Sequence, residues 1–317
     1  MNQSKERKLM RTYWNFNKGI GQLNTWESGC WVQVTCPVED DVKYLVDELG
    51  IPDYFVEDIS DTDERARYDY DEGWLMIILR IPHIKNIASR SPYTTIPLGI
   101  LIKDDKIITI CHQETKMMID FINHQQRRAE GFIDATDLVF RLFLSASVWY
   151  LKYLKQVNGL IEKAKRNLDR NIDNKDLTSL SRLQDSLTYF ATSIRGNETL
   201  LSKLKFRLPV DDLDAELIED VNIEMQQARE MTAIYSNILD STMDTYANLI
   251  NNNMNQVMRL LTSLNMIIML PTLVASLFGM NLINGMEESR WGFIIAIIIS
   301  AILTVLGWWY FRKRKWL

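Results

Sequence analysis

Several residue types are scarce in this 317-residue chain, and each shortage removes an option. Cysteine occurs three times, at Cys30, Cys36 and Cys111, an odd number with no Cys-x-x-Cys pair. That argues against a disulfide framework and for a reducing compartment. With only three histidines beside them, these thiols have no ligand spacing that supports a zinc site. The amino-terminal residues are polar and charged without an apolar core, so no signal peptide is expected. A glycine-rich phosphate loop and the spacing of a catalytic triad are both missing, so the chain is not expected to be an enzyme. Glycine and proline are absent from Leu213 to Leu270, a gap that leaves nothing to break a helix.

Charge is short in one place. Of the 41 acids and 36 bases, residues 251–317 hold two acids and six bases, and residues 1–250 hold the remaining 39 and 30. The acidic part repels nucleic acid and attracts cations, so no nucleic-acid partner is expected. Inside the charge-poor part lie two long apolar runs, Leu260–Phe278 and Trp291–Phe311, each about the 20 residues that a helix needs to cross a bilayer. The link Asn281–Arg290 is short, so the chain crosses, turns and crosses back. Arg259 precedes the first run and Arg312-Lys313-Arg314-Lys315 follows the second, which puts both termini in the cytoplasm and the link outside.

The rest divides by pattern. Trp31–Cys36 and Trp74–Ile81 read as strands, the latter ending at Pro82. Glu39–Leu49 reads as a helix ending at Gly50, and Thr94–Ile102 with Lys106–Cys111 as a hairpin over Asp104-Asp105. Residues 1–130 are thus expected to form an α/β domain and 131–208 its helical part, with Asp134–Leu168 and Asp176–Leu204 as helices. After the breaker at Leu208-Pro209, residues 209–259 form a stalk helix continuous with a first transmembrane helix at 260–280. The whole helix is about 100 Å long at 1.5 Å per residue and needs neighbours to cover it. A loop at 281–290, a second transmembrane helix at 291–311 and a basic tail at 312–317 complete the expected layout. Glu57, Asp58, Asp61 and Asp63 lie beside Arg65 and Arg67 and read as surface ion pairs, not as the metal site of a hydrolase.

The two runs differ in kind. The second is apolar on every face. The first carries Asn255, Met258, Thr262, Asn265, Met269, Thr272, Ser276 and Gly279 at alternating steps of three and four, a polar or small stripe with Leu261 on its border. Polar groups within a membrane face protein or water. From periodicity alone the stripe is a helix-packing seam or a water-facing surface.

Gly279-Met280-Asn281 ends the first run, and this tripeptide between two C-terminal spans resembles the CorA family of magnesium and divalent-metal-ion transporters. Gln227-Ala228-Arg229-Glu230-Met231, Asn251-Asn252-Asn253-Met254-Asn255 and the ending Arg312–Leu317 resemble the same family. The resemblance implies a homopentameric funnel in the cell membrane, with the lipid bilayer and divalent cations as its other partners. It implies transport of Mg²⁺, with cobalt and nickel possible, driven by the membrane potential and gated by intracellular Mg²⁺ bound to the protein. It assigns pore roles to Asn255, Met258, Leu261, Met269 and Thr272, with Asn281 as a ring at the outer mouth; Thr262, Asn265, Gly279 and Met280 share the arc or the motif. Glu287 and Glu288 in the loop would attract cations. Asp220 matches a regulatory metal position, with Asp211, Asp212 and Glu219 nearby, although the partner acid expected after Trp74–Ile81 is replaced by His83-Ile84-Lys85-Asn86. The alternatives are a zinc transporter of the same fold, which carries another middle residue in the tripeptide, and a membrane-anchored coiled-coil scaffold without a pore.

Overall fold

A computed structural model describes residues 11–16, 19–85, 89–128, 131–170, 174–208, 212–280 and 291–316. The chain divides into two compact units, Met1–Thr242 and Met243–Leu317.

The first unit is built on a seven-stranded sheet: β1 (Arg11–Trp14), β2 (Gln22–Leu23), β3 (Trp31–Thr35), β4 (Arg67–Asp71), β5 (Trp74–Ile84), β6 (Tyr93–Lys103) and β7 (Lys106–Cys111). Their order is β2-β1-β3-β7-β6-β5-β4, antiparallel except where β3 runs parallel to β7. The central strands read as continuous apolar runs because helices cover both faces. On one face α1 (Glu39–Lys43), a π-helical segment (Tyr44–Glu48) and α2 (Asp53–Ser60) pack Leu45, Phe55 and Ile59 onto Val32, Val34, Met76, Ile78 and Ile110. Gly99 on β6 makes this possible, since a Cβ there would lie 2.2 Å from the Ile59 side chain. On the other face lie α3 (Lys116–Arg127), α4 (Ala135–Arg170) and α5 (Asn174–Leu204). Trp31 meets Phe121 edge-on there, and Tyr93 meets Phe190.

Local chemistry sets the helix starts. Thr115 accepts the Met118 N–H at 3.1 Å at the head of α3. Asp134 accepts the Asp137 N–H at 2.9 Å, and Asp137 accepts the Ile133 N–H at 3.1 Å, a reciprocal cap for α4. The helix expected over Glu39–Leu49 instead widens after Lys43, with Leu49 N–H bonding to Tyr44 O at 3.1 Å, before Gly50 turns the chain at φ 66°. The hairpin over Asp104-Asp105 is β6–β7, with Asp104 at φ 52°.

Strand β5 does not stop at Pro82, and the reason is a side-chain substitute for a strand. Pairing with β4 ends at Arg67↔Ile78. Two residues on, the Arg80 N–H donates to Asn197 Oδ1 of α5 at 3.0 Å, and Asn197 Nδ2 donates to Arg80 O at 2.8 Å. The Tyr150 hydroxyl of α4 donates to the same carbonyl at 3.0 Å. The backbone of Arg80 therefore points away from β6, and so does that of Pro82 two residues later. A proline is tolerated because its missing N–H faces the side with no strand. Asn197 and Tyr150 are fully or almost fully buried.

α6 (Asp212–Phe278) begins in the first unit and ends in the second. Within the first unit it buries Ile218, Val221, Met225, Ala228, Thr232 and Leu239. The Arg229–Glu198 ion pair at 3.3 Å and the Gln184–Asp240 hydrogen bond align it antiparallel to α5. The neighbour that the long helix needs is thus partly supplied by its own chain. Ile223 and Ile234 stay 56 % and 53 % exposed on other sides.

Asn197→Ala removes a buried donor and acceptor from the Arg80 backbone and is expected to destabilise the protein by about 2–3 kcal/mol. The check is thermal unfolding of the full-length protein in detergent; an unchanged Tm would contradict the role given to this amide.

Candidate functional site

The second unit consists of the end of α6 and α7 (Gly292–Lys313). With 22 residues, α7 is about 33 Å long, close to the thickness of a bilayer core. Both helices are long and apolar enough to cross a membrane, and few of their apolar side chains are buried within the chain. A core helix of a water-soluble domain would bury such a surface. At the end of α7 Arg312 lies 4.9 Å from the Trp308 ring, and Lys313 lies 5.2 Å from that of Trp309. Aromatic rings carrying cations at a span's end suit the boundary between lipid and water.

The two helices pack through small residues. On α7 the covered or half-covered positions are Gly292, Ala296, Ser300, Leu303, Thr304, Gly307 and Phe311. A Cβ on Gly307 would come within 2.9 Å of Leu270 Cδ1. On α6 the covered or half-covered positions are Ser263, Ile267, Leu270, Val274 and Phe278, at steps of four and three, with Thr262 and Pro271 beside them. The second span is therefore not alike on every face. Its hydroxyls hide the difference, because Ser300 donates to Ala296 O at 2.8 Å and Thr304 to Ser300 O at 2.7 Å. The small-residue spacing was the signal that a reading of apolarity alone missed.

The stripe lies on the other side of α6. At 100° per residue its mean direction is about 140° from that of Ser263, Leu270 and Val274. Asn255, Asn265, Thr272 and Ser276 are exposed, Met258, Leu261 and Met269 are 56 %, 49 % and 68 % exposed, and Thr262 is half-buried. The stripe therefore does not serve packing against α7. Thr262 donates its hydroxyl hydrogen to Met258 O at 2.7 Å, and Thr272 donates to Ile268 O at 3.0 Å. Their oxygens keep lone pairs and face outward as acceptors. A hydrated cation presents water hydrogens outward, so acceptors suit it. The stripe carries no carboxylate. A bare Mg²⁺ ion, which demands hard oxygen ligands in octahedral geometry, would find a poor site there.

At its end, Gly279 still donates its N–H to Ala275 O at 2.9 Å and does not adopt positive φ. Its small size keeps clear of that carbonyl, which a Cβ would approach to 3.1 Å. Met280 is 47 % exposed. Asn281, Glu287 and Glu288 lie outside the described residues, as does Asp211, and the side chain of Asp212 is also outside them. Glu219 and Asp220 are exposed on α6. Among the described residues no group of three or more His, Cys, Asp or Glu is placed to hold a metal. Asp58 instead shares Arg67 with Glu64 and Asp69, at 2.6, 2.9 and 3.1 Å.

Over-packing the helix pair has a defined cost. Gly307→Leu pushes branched carbon into Leu270 and is expected to destabilise the second unit by about 1–3 kcal/mol, whereas the flexible Leu270 tip can yield to Gly307→Ala. Thermal unfolding in detergent checks this, and equal melting temperatures for the two variants would refute the close approach.

Comparison with known proteins follows from this geometry. The family model described as CorA-like Mg2+ transporter protein matches residues 26–313. A cobalt/magnesium transport protein CorA from Methanocaldococcus jannaschii is 25% identical over 293 residues, covering 90% of this chain and 91% of that protein. A protein of the same description from Thermotoga maritima is 23% identical over 296 residues, covering 90% and 83%. Among solved structures, the complete CorA magnesium transporter from Methanocaldococcus jannaschii superposes with a TM-score of 0.82 at 23% identity, covering 97% of this chain and 99% of that one.

Proposed function

The chain belongs to the CorA-like Mg2+ transporter protein family and is a membrane-embedded transporter of divalent cations, and we propose that five copies surround a central pore that carries Mg²⁺ into the cell. The observation that carries this reading is the stripe on α6, polar in an apolar span and turned away from α7. A surface of that kind in lipid needs protein or water against it. Copies of the chain arranged about an axis supply both, with Asn255, Met258, Leu261, Thr262, Asn265, Met269 and Thr272 along the channel and Asn281 at its outer mouth.

The chemistry follows from the donor set. Amide and hydroxyl oxygens accept hydrogen bonds from the waters of a cation that keeps its shell, so little of the large dehydration cost of Mg²⁺ is incurred. Met258 and Leu261 form an apolar ring near the cytoplasmic end, which closes when water leaves it. Glu287 and Glu288 raise the local cation concentration outside. The membrane potential supplies about 2.3 kcal/mol per charge per 100 mV, and twice that for a divalent ion entering a negative interior. Both termini lie in the cytoplasm, on the side of the basic tail. Cobalt and nickel are further cargo.

In vesicles containing the purified protein, Asn281→Ala is expected to lower Mg²⁺ uptake to below about a tenth, and Met258→Asp to raise basal cation flux several-fold by holding water in the constriction. Light scattering should give a mass of five subunits for both. Normal uptake in the first variant and unchanged flux in the second would leave packing as the only task of the stripe.

Feedback by internal Mg²⁺ is assigned to acids at the start of α6. A bound divalent ion relieves the repulsion among Asp220, Glu219, Asp212 and Asp211 and favours the assembly in which they are held close. Asp220→Ala is expected to weaken both the closing of flux and the protection of α6 from protease as internal Mg²⁺ is raised. Wild-type behaviour across the full titration would move the sensing site elsewhere.

A further inference from the structure

Among the described residues of the acidic first unit is a cleft lined by four arginines. It has a volume of about 1080 Å³ and opens between α5 and the segments flanking β5 and β6. Arg65, Arg80, Arg90 and Arg195 line it, with Tyr189 on its wall. At its floor the Arg80 residue is only 6 % exposed. Its guanidinium donates to Thr62 O at 2.7 Å, to Glu64 O at 2.9 Å, and to Thr95 O and Oγ1 at 2.8 Å each. All of these acceptors are neutral. Asp61, Asp63 and Glu64 are near enough to favour its charge, but among the described residues no carboxylate reaches ion-pair distance, and burial holds its pKa below the ordinary arginine value. A buried cation without a counterion is costly, and its hydrogen bonds offset only part of that cost.

The other lining charges leave the imbalance standing. Glu64 shares Arg67 with Asp58 and Asp69, and Asp185 is paired with Arg90. Arg65 and Arg195 are exposed at the cleft and make no ion pair among the described residues. Asp63 is the lining acid outside an ion pair. The lining as a whole carries four arginines and three acids, a net charge of +1, beside a tyrosine 43 % exposed. Arginine forks bind phosphate oxygens in pairs, and a cleft of this volume is large enough to admit a nucleotide.

We propose that this cleft binds the polyphosphate of a nucleotide as its Mg²⁺ complex, with Arg65 and Arg195 on the phosphates, Arg80 as the buried positive charge beneath them, Asp63 towards the metal and Tyr189 against the base. This site is separate from the stripe and does not depend on the transport reading.

The test is calorimetric titration of the full-length protein in detergent with Mg·ATP and with Mg·tripolyphosphate, at fixed free Mg²⁺. Submillimolar binding of Mg·ATP is expected. The double variant Arg65→Gln/Arg195→Gln, both exposed and outside any ion pair among the described residues, should weaken it about tenfold or more with Tm changed by no more than a few degrees. Arg207→Gln removes one such charge outside the cleft, where Arg207 lies 5.2 Å from the Tyr70 ring, and should leave binding within about twofold. Weaker binding of tripolyphosphate than of ATP identifies a nucleotide as the ligand. Tripolyphosphate binding as tightly as ATP would overturn the nucleotide assignment, and no heat with either ligand at about 5 mM, or an equal loss in Arg207→Gln, would overturn the site itself.

Discussion

The close approach of Gly307 to Leu270 decides which way the first span faces. A helix in lipid has no preferred side until something packs against it. Once the small face of α7 covers Ser263, Ile267, Leu270 and Val274, the side carrying Asn255, Asn265, Thr272 and Ser276 stays exposed among the described residues of the second unit. Hydrocarbon offers no hydrogen bonds to amides and hydroxyls, so the face left over must meet protein or water. The same contact that completes a two-helix hairpin thereby leaves it incomplete as a membrane protein. This is why a polar stripe, ambiguous by periodicity, carries a functional argument once its partner is known.

In the first unit the corresponding constraint is the buried backbone. β5 outruns its neighbour β4, and its free edge would be left with unpaired groups. Asn197 and Tyr150 close that edge from α5 and α4. α5 also touches α6 through Glu198 and Gln184. One helix therefore joins the sheet to the start of the long helix. Burial raises the pKa of Glu198, and Arg229 and Arg195 act against that rise. The contact between α5 and α6 thus holds a carboxyl group that is partly removed from water, and its ion pair with Arg229 depends on the two helices staying together.

Legibility differed by element. The central strands were readable because a strand covered on both faces is a continuous apolar run, as in Trp74–Ile81 and Thr94–Ile102. β1 and the edge strands β2 and β4 were not. Arg67–Asp71 reads Arg-Tyr-Asp-Tyr-Asp, and its polar face is ordinary for an edge, where β propensity depends on neighbours. The π-helical turn after Lys43 has no pattern of its own, since it arises from fitting Leu45 into the core. The end of β5 was misjudged at Pro82 because a proline is excluded only where its N–H is needed, and that depends on Asn197, 115 residues away in sequence.

The sequence by itself determined the two spans, the long unbroken helix, the acidic and apolar division of the chain and the stripe, because each is a property of neighbours within a few turns. It also carried the resemblance to the family, which the match over residues 26–313 shows. Which side of the stripe-bearing helix is covered was decided only by the tertiary structure, as was the grouping of Arg65, Arg80 and Arg195 about one cleft. Periodicity fixes the angle between two residues on one helix, but the direction of a partner is set by close packing between segments far apart in the chain.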